Sequence, residues 1–176
     1  MTSDTRQTRR IVLTGFMGSG KSTVGPLVAA RLGWRFVDVD DVIEAGAGTK
    51  ITELFAQHGE PAFRRREHEA IAQLAGGDNL VLALGGGAIE TEENRVLLLR
   101  SAGTLLVHLE VELETTLKRC AGTEGTRPIL ADRANLETRY ARRLPLYRLA
   151  HVSIKVDGLT PEEAVQAIVE AAGAER

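Results

Sequence analysis

The chain has 176 residues, 43% of them apolar and 26% charged, and its 22 Lys+Arg against 24 Asp+Glu leave a net charge of -2. This composition suits one globular domain with a buried core; it excludes a disordered chain and an overall basic field for nucleic acid or anionic membrane. One cysteine, Cys120, excludes an internal disulfide and a multi-cysteine zinc cage.

In chain order, the polar, basic start at Met1 to Arg10 leads into an apolar run that Thr14 and Gly15 soon interrupt, which is not a signal-peptide pattern. No apolar run approaches the roughly 20 residues that span a bilayer, so a cytoplasmic protein without a membrane partner is expected. Strands are expected at Ile11 to Thr14, Arg35 to Val39, Leu80 to Leu84, Thr104 to Leu109 and Val152 to Val156, with helices between them. Ser22 to Leu32 places Val24, Leu27, Val28 and Leu32 on one helical face, and Gly33 is a natural stop. Thr160-Pro161-Glu162-Glu163 is a capping box with proline at the first helical position, opening a helix to about Ala172. Alternation of five strands with helices implies a three-layer α/β fold around a parallel sheet, in which ligands bind at the carboxyl ends of strands. The low-apolar stretch Ala121 to Arg127 reads as a mobile surface loop.

The first strand runs into Gly15-Phe16-Met17-Gly18-Ser19-Gly20-Lys21-Ser22, a match to G-x-x-x-x-G-K-[ST] with a helix directly behind it. Glycines let backbone N–H groups face phosphates, and the helix N-terminus adds positive potential. Lys21 then reaches the β/γ phosphates and Ser22 ligates Mg²⁺. A GTPase would usually add D-x-x-G and N-K-x-D, and neither occurs in the chain. A motor or helicase would need more chain for its coupling domain.

The second strand ends in Asp38-Val39-Asp40-Asp41, where strand alternation would put Asp38 and Asp40 on one face and leave Asp41 to start the next helix. One carboxylate suits second-shell magnesium ligation, and the other could orient and deprotonate a hydroxyl nucleophile. Arg64 and Glu67 are i, i+3 neighbours, so Glu67 could hold the guanidinium in a fixed pose. Gly85-Gly86-Gly87 follows the third strand, where missing side chains allow backbone N–H groups close to a small ligand.

Of the 22 cations 18 are arginine, and Lys118 to Arg148 holds eight cations against three acids, a net +5. The segment lacks the aromatic interleaving of nucleic-acid grooves, so phosphates and an anionic substrate are its expected targets, not nucleic acid. Arg127, next to Pro128, is placed like a lid arginine that swings onto the transferring phosphoryl group. His58, His68, His108 and His151 have no metal-ligand spacing and read as structural or surface residues, and Cys120 as packed in a helix.

Taken together in order and spacing, these motifs resemble the shikimate kinases over about Ile11 to Ala172. The resemblance implies a nucleoside monophosphate kinase-like fold and phosphorylation of the 3-hydroxyl of shikimate by ATP with Mg²⁺, within aromatic amino-acid biosynthesis. By matching position, Asp40 would be the base, and Lys21 and Arg127 would stabilise phosphoryl charge. Gly18, Ser19, Gly20, Lys21, Ser22 and Thr23 would hold ATP, with Arg119 stacking on adenine. Arg64 and Arg143 would clamp the substrate carboxylate beside Gly85, Gly86 and Gly87. Ser22 would bind Mg²⁺ directly and Asp38 through water. Residues 44–76 would form a substrate-binding region and 119–132 a lid, in a single domain expected to be a monomer because no long apolar stripe is left over. Pro26 departs from the family pattern; it removes an intrahelical bond to the Ser22 carbonyl, so a bend or another partner is expected there.

Overall fold

The computed structural model describes residues 7–121 and 132–173. Its five strands, β1 (Arg10–Thr14), β2 (Arg35–Asp38), β3 (Leu80–Ala83), β4 (Thr104–Glu110) and β5 (Val152–Lys155), form one sheet in the order β2-β3-β1-β4-β5. Every adjacent pair is parallel. The apolar runs explain the order. β1 and β3 are buried at every position and stand inside, whereas Val152-Ser153-Ile154-Lys155 alternates half-buried with exposed and stands at an edge.

Among the described residues, seven helices connect and cover the strands: α1 (Lys21–Leu32), α2 (Val39–Ala47), α3 (Ile51–Leu74), α4 (Glu92–Arg100), α5 (Leu113–Cys120), α6 (Arg133–Tyr147) and α7 (Pro161–Ala171). α1 stops at Gly33, which takes φ +66° and returns its N–H to the last turn. The Thr160 capping box is formed in full, with Glu163 bonding back to the Thr160 N–H at 2.8 Å. α3 is bent at Gly59, where φ is +76° and ψ 172°, and Pro61 fits the first turn of the segment beyond the bend. That bend sets the direction of the segment carrying Arg64 and Glu67.

Two expectations change, and the alternative left open at Pro26 is decided. Leu27 is 40% exposed, whereas Val24 and Val28 of the expected face are buried, together with Gly25, which sits against the Phe36 ring, and Ala29. Pro26 does not break α1; Ser22 is exposed, so solvent can take the carbonyl that Pro26 leaves unbonded. The second strand stops at Asp38 and α2 begins at Val39, so Asp40 belongs to a helix and Asp41 does not start it. The cause is local: Asp38 is the N-cap, and its carboxylate accepts the Asp40 N–H at 3.0 Å.

No helix among the described residues is long and apolar enough to cross a membrane. Arg127, Pro128 and the stretch 122–131 of the expected loop and lid lie outside the described residues.

Candidate functional site

The carboxyl ends of β1, β2 and β3 open onto one cavity of about 590 Å³. The P-loop residues from Gly18 to Thr23, the acids Asp38 and Asp40, and Gly85, Gly86, Arg119 and Arg143 all line it. A β1 strand central to the sheet places the loop where the chain crosses from one side of the sheet to the other, the position ligands take in such folds.

Positive φ at Gly15, Gly18 and Gly20 turns the loop over the start of α1. Lys21 folds back along it, donating to the Gly15 carbonyl at 2.7 Å, the Phe16 carbonyl at 3.1 Å and Ser19 Oγ at 3.3 Å. Arg119, from the end of α5, donates to the Gly18 carbonyl at 2.9 Å and approaches the Val156 carbonyl. Leu159, Thr160 and Pro161, where the chain enters α7, line the same cavity. The sequence reading leaves this turn unassigned. Its signal was the rule already used for the other strands, since it follows the carboxyl end of β5.

Asp40 lies in the first turn of α2 and is the most perturbed acid of the site. Burial, and then the neighbouring Asp38 charge, push its carboxyl up to about 6 against the pull of Lys21. Asp38 is raised as well, chiefly by burial. Asp40 Oδ1 is buried with no hydrogen-bond partner, and the same is true of Glu67 Oε2. Buried polar atoms without partners are rare, and here both oxygens lie beside Gly85 at the cavity.

Arg64 donates to Glu67 at 2.7 Å and to Glu60 at 3.3 Å, so the i, i+3 restraint expected from the sequence is present. Burial raises the Glu67 carboxyl, Arg64 opposes this and the Asp40 charge adds to it. Arg143 comes from α6 and is only 6% exposed. A Cβ at Gly87 would lie 2.3 Å from Arg64 Nη2 and 2.9 Å from Arg143 Nη2. Two guanidiniums from different helices thus converge where only glycine leaves room, a fork suited to a carboxylate.

Two residues behind this fork escaped sequence reasoning. Tyr147 donates to the Gly86 carbonyl at 2.6 Å, and burial pushes its phenol up to about 12, which keeps it a donor. Glu90 accepts from both Arg142 and Arg143. Neither could be found from local pattern, because both act on elements far away in sequence.

The basic segment is less free than its sum implies. Arg133 pairs with Glu114 and Glu137, Arg142 and Arg143 with Glu90, and Arg148 with Glu110. Most of those acids come from outside the segment, so its +5 is largely neutralised by tertiary contacts. Among the four histidines, His68 meets Asn94 at 2.7 Å, and His151 accepts the Leu106 N–H at 2.9 Å. His108 is buried against Tyr147; burial, opposed by the Glu110 charge and aided by Arg148 and Lys21, pushes it down to about 4 and keeps it neutral. Cys120 is buried at the end of α5.

The family model for shikimate kinase matches residues 17–172. A shikimate kinase of Salinibacter ruber is 42% identical over 172 residues, covering 92% of this chain and 83% of the relative. One of Symbiobacterium thermophilum is 44% identical over 166 residues, covering 91% and 94%. Among solved structures, shikimate kinase from Acinetobacter baumannii in complex with shikimate has a TM-score of 0.87 at 34% identity, covering 96% of this chain and 95% of that one.

Proposed function

Because the chain belongs to the shikimate kinase family and is an ATP-dependent kinase acting on a shikimate hydroxyl, we propose specific roles for the residues around its cavity. Asp40 holds the 3-hydroxyl and takes its proton. The observation that carries this role is the buried, unpartnered Asp40 Oδ1, which faces the same cavity as Lys21 and Ser22. A hydroxyl placed there supplies the missing donor, and a carboxyl poised near 6 is mostly ionised at neutral pH yet basic enough to assist.

The hydroxyl oxygen attacks the γ-phosphorus in line, the bond from that phosphorus to the β,γ-bridging oxygen breaks, and ADP leaves with the electron pair. Asp40 accepts the hydroxyl proton as the new P–O bond forms. Lys21 exchanges its loop carbonyls for phosphate oxygens, and the N–H groups at the start of α1 hold the transferring group. The residues also fit a hard cation held mainly by nucleotide phosphates. Ser22 and Asp38 share the cavity wall, and such sites need only one or two protein oxygens. Ser22 would ligate Mg²⁺ and Asp38 would act through water; the ion would neutralise charge on the phosphate oxygens.

Arg64 and Arg143 clamp the substrate carboxylate over Gly87, while Gly85 and Gly86 line the ring with backbone. Arg119 and the Leu159 to Pro161 turn flank the nucleotide base. Arg127 completes the charge stabilisation as a lid residue by its match to the family pattern alone. A coupled ADP-release assay tests the central role: Asp40→Asn should lower kcat by about 10²-fold or more. A near-native kcat would remove the base from Asp40.

A further inference from the structure

Glu90 ends the short 3₁₀ turn Ala88–Glu90 that follows the glycine triplet. Its backbone is held on more than one side. Asn94, fully buried, donates to the Ala88 carbonyl at 3.0 Å, and Arg95 donates to the Ile89 and Glu90 carbonyls at 2.8 and 2.9 Å. The carboxylate therefore projects from a rigid base towards α6.

There each oxygen has its own arginine. Oε1 accepts from Arg142 Nε at 2.7 Å, and the Arg142 side chain is 59% exposed. Oε2 accepts from Arg143 Nε at 3.1 Å and Nη2 at 2.9 Å. The Nε and Nη2 protons mark the side edge of the guanidinium. Its tip stays directed at the glycines, with Nη1 3.3 Å from where a Gly86 Cβ would stand. Arg143 lines the cavity, and Glu90 stands behind it. A carboxylate on the side edge does not compete for the tip. It fixes the plane and direction of the fork before substrate arrives, and so removes rotamer freedom that binding would otherwise have to remove.

We propose that Glu90 is a positioning residue for substrate recognition, holding Arg143 by its side edge so that the guanidinium tip meets the shikimate carboxylate. This rests on the assignment of Arg143 to that carboxylate. The arrangement parallels Arg64 and Glu67 on α3, but the restraint comes from a distant turn instead of the same helix. It also ties the glycine triplet to α6, so both halves of the carboxylate site move as one body.

The test uses Glu90→Gln, which keeps the shape and loses the charge, and Glu90→Ala, which loses both. KM for shikimate should rise about five-fold in the first and about ten-fold or more in the second, with kcat and the KM for ATP changed by less than about two-fold. The primary amide of shikimate, measured as a competitive inhibitor, should bind the native chain and Glu90→Gln equally, because the penalty operates through the carboxylate. An unchanged or lowered KM for shikimate in Glu90→Gln would overturn the proposal. So would an equal penalty for the amide, which would reduce Glu90 to a staple between the turn and α6. Arg143→Lys is the arm that separates the two readings: if it leaves KM unchanged, the carboxylate assignment itself fails. If Arg143→Lys raises KM and Glu90→Gln does not, only the role of Glu90 is lost.

Discussion

Asp40 Oδ1 and Glu67 Oε2 come from different helices and converge on one glycine: a Cβ at Gly85 would lie 3.0 Å from the first and 3.3 Å from the second. The two carboxylates are held close in a site where each raises the cost of charging the other, and Asp40 is among the causes of the raised Glu67 carboxyl. Lys21, Arg64 and Arg143 supply the compensating positive charge.

The glycine triplet should therefore separate catalysis from binding residue by residue. Gly85→Ala presses on the Asp40 carboxylate and should lower kcat by about ten-fold or more, since small misplacements of a reacting group are costly. Gly87→Ala would drive a methyl into both guanidiniums, at 2.3 and 2.9 Å, and should mainly raise KM for shikimate, by about ten-fold. Steady-state kinetics with each substrate varied would check this; equal effects of the two substitutions on kcat and KM would contradict it.

The pH profile should report the Asp40 carboxyl. As a base it works only when ionised, so kcat/KM should be level above about 6 and fall towards ten-fold per unit below it. Rates measured between pH 5 and 8 at saturating ATP would show the bend. A profile that stays level down to pH 5, as an ordinary carboxylate would give, would mean that burial does not perturb Asp40 in this way.

The same shift predicts a trade between activity and stability. The folded-state pKa of Asp40 is raised above its unfolded value, so the native state binds the extra proton between the two. Its favourable contribution is present at low pH and lost as pH rises through about 6. At pH 8 the native chain carries a buried charge that Asp40→Asn removes. That variant should have a Tm roughly 2–4 °C higher at pH 8, with the gap closing below pH 5. Thermal unfolding at the two pH values would decide it, and a lower Tm at pH 8 would count against the burial argument.

Gly25 offers a test of the fold alone. It lies in α1, where Ala would normally be favoured by about 1 kcal/mol. A Cβ there would lie 2.3 Å from the Phe36 ring. Gly25→Ala should thus destabilise the chain by about 1–2 kcal/mol net, as overpacking outweighs helix propensity. Combining it with Phe36→Leu should recover part of the loss. A Tm above that of the native chain would show that Phe36 moves aside freely.

The short-range features of the protein were already present in its sequence. The P-loop, the five strands, the Gly33 stop and the Thr160 capping box each depend on residues within a few positions of one another, so composition and spacing suffice. Asp38 and Asp40 could be singled out as a pair for the same reason, although the helix that joins them began two residues before Asp41. The decisive observation there was the Asp38 carboxylate turning back onto the Asp40 N–H.

What the tertiary structure decided was everything set by distant partners. Arg64 and Arg143 are 79 positions apart, and only packing of α3 and α6 around the glycine triplet brings their guanidiniums over Gly87. Half of the eight cations in the segment that looked like a +5 patch are paired with acids from other elements, because charges are neutralised by proximity in space and not by order in the chain. Glu90 and Tyr147 became visible only as the groups that hold those parts in place. Local pattern can place a charge on an element; the direction in which that charge points is fixed by what packs behind it.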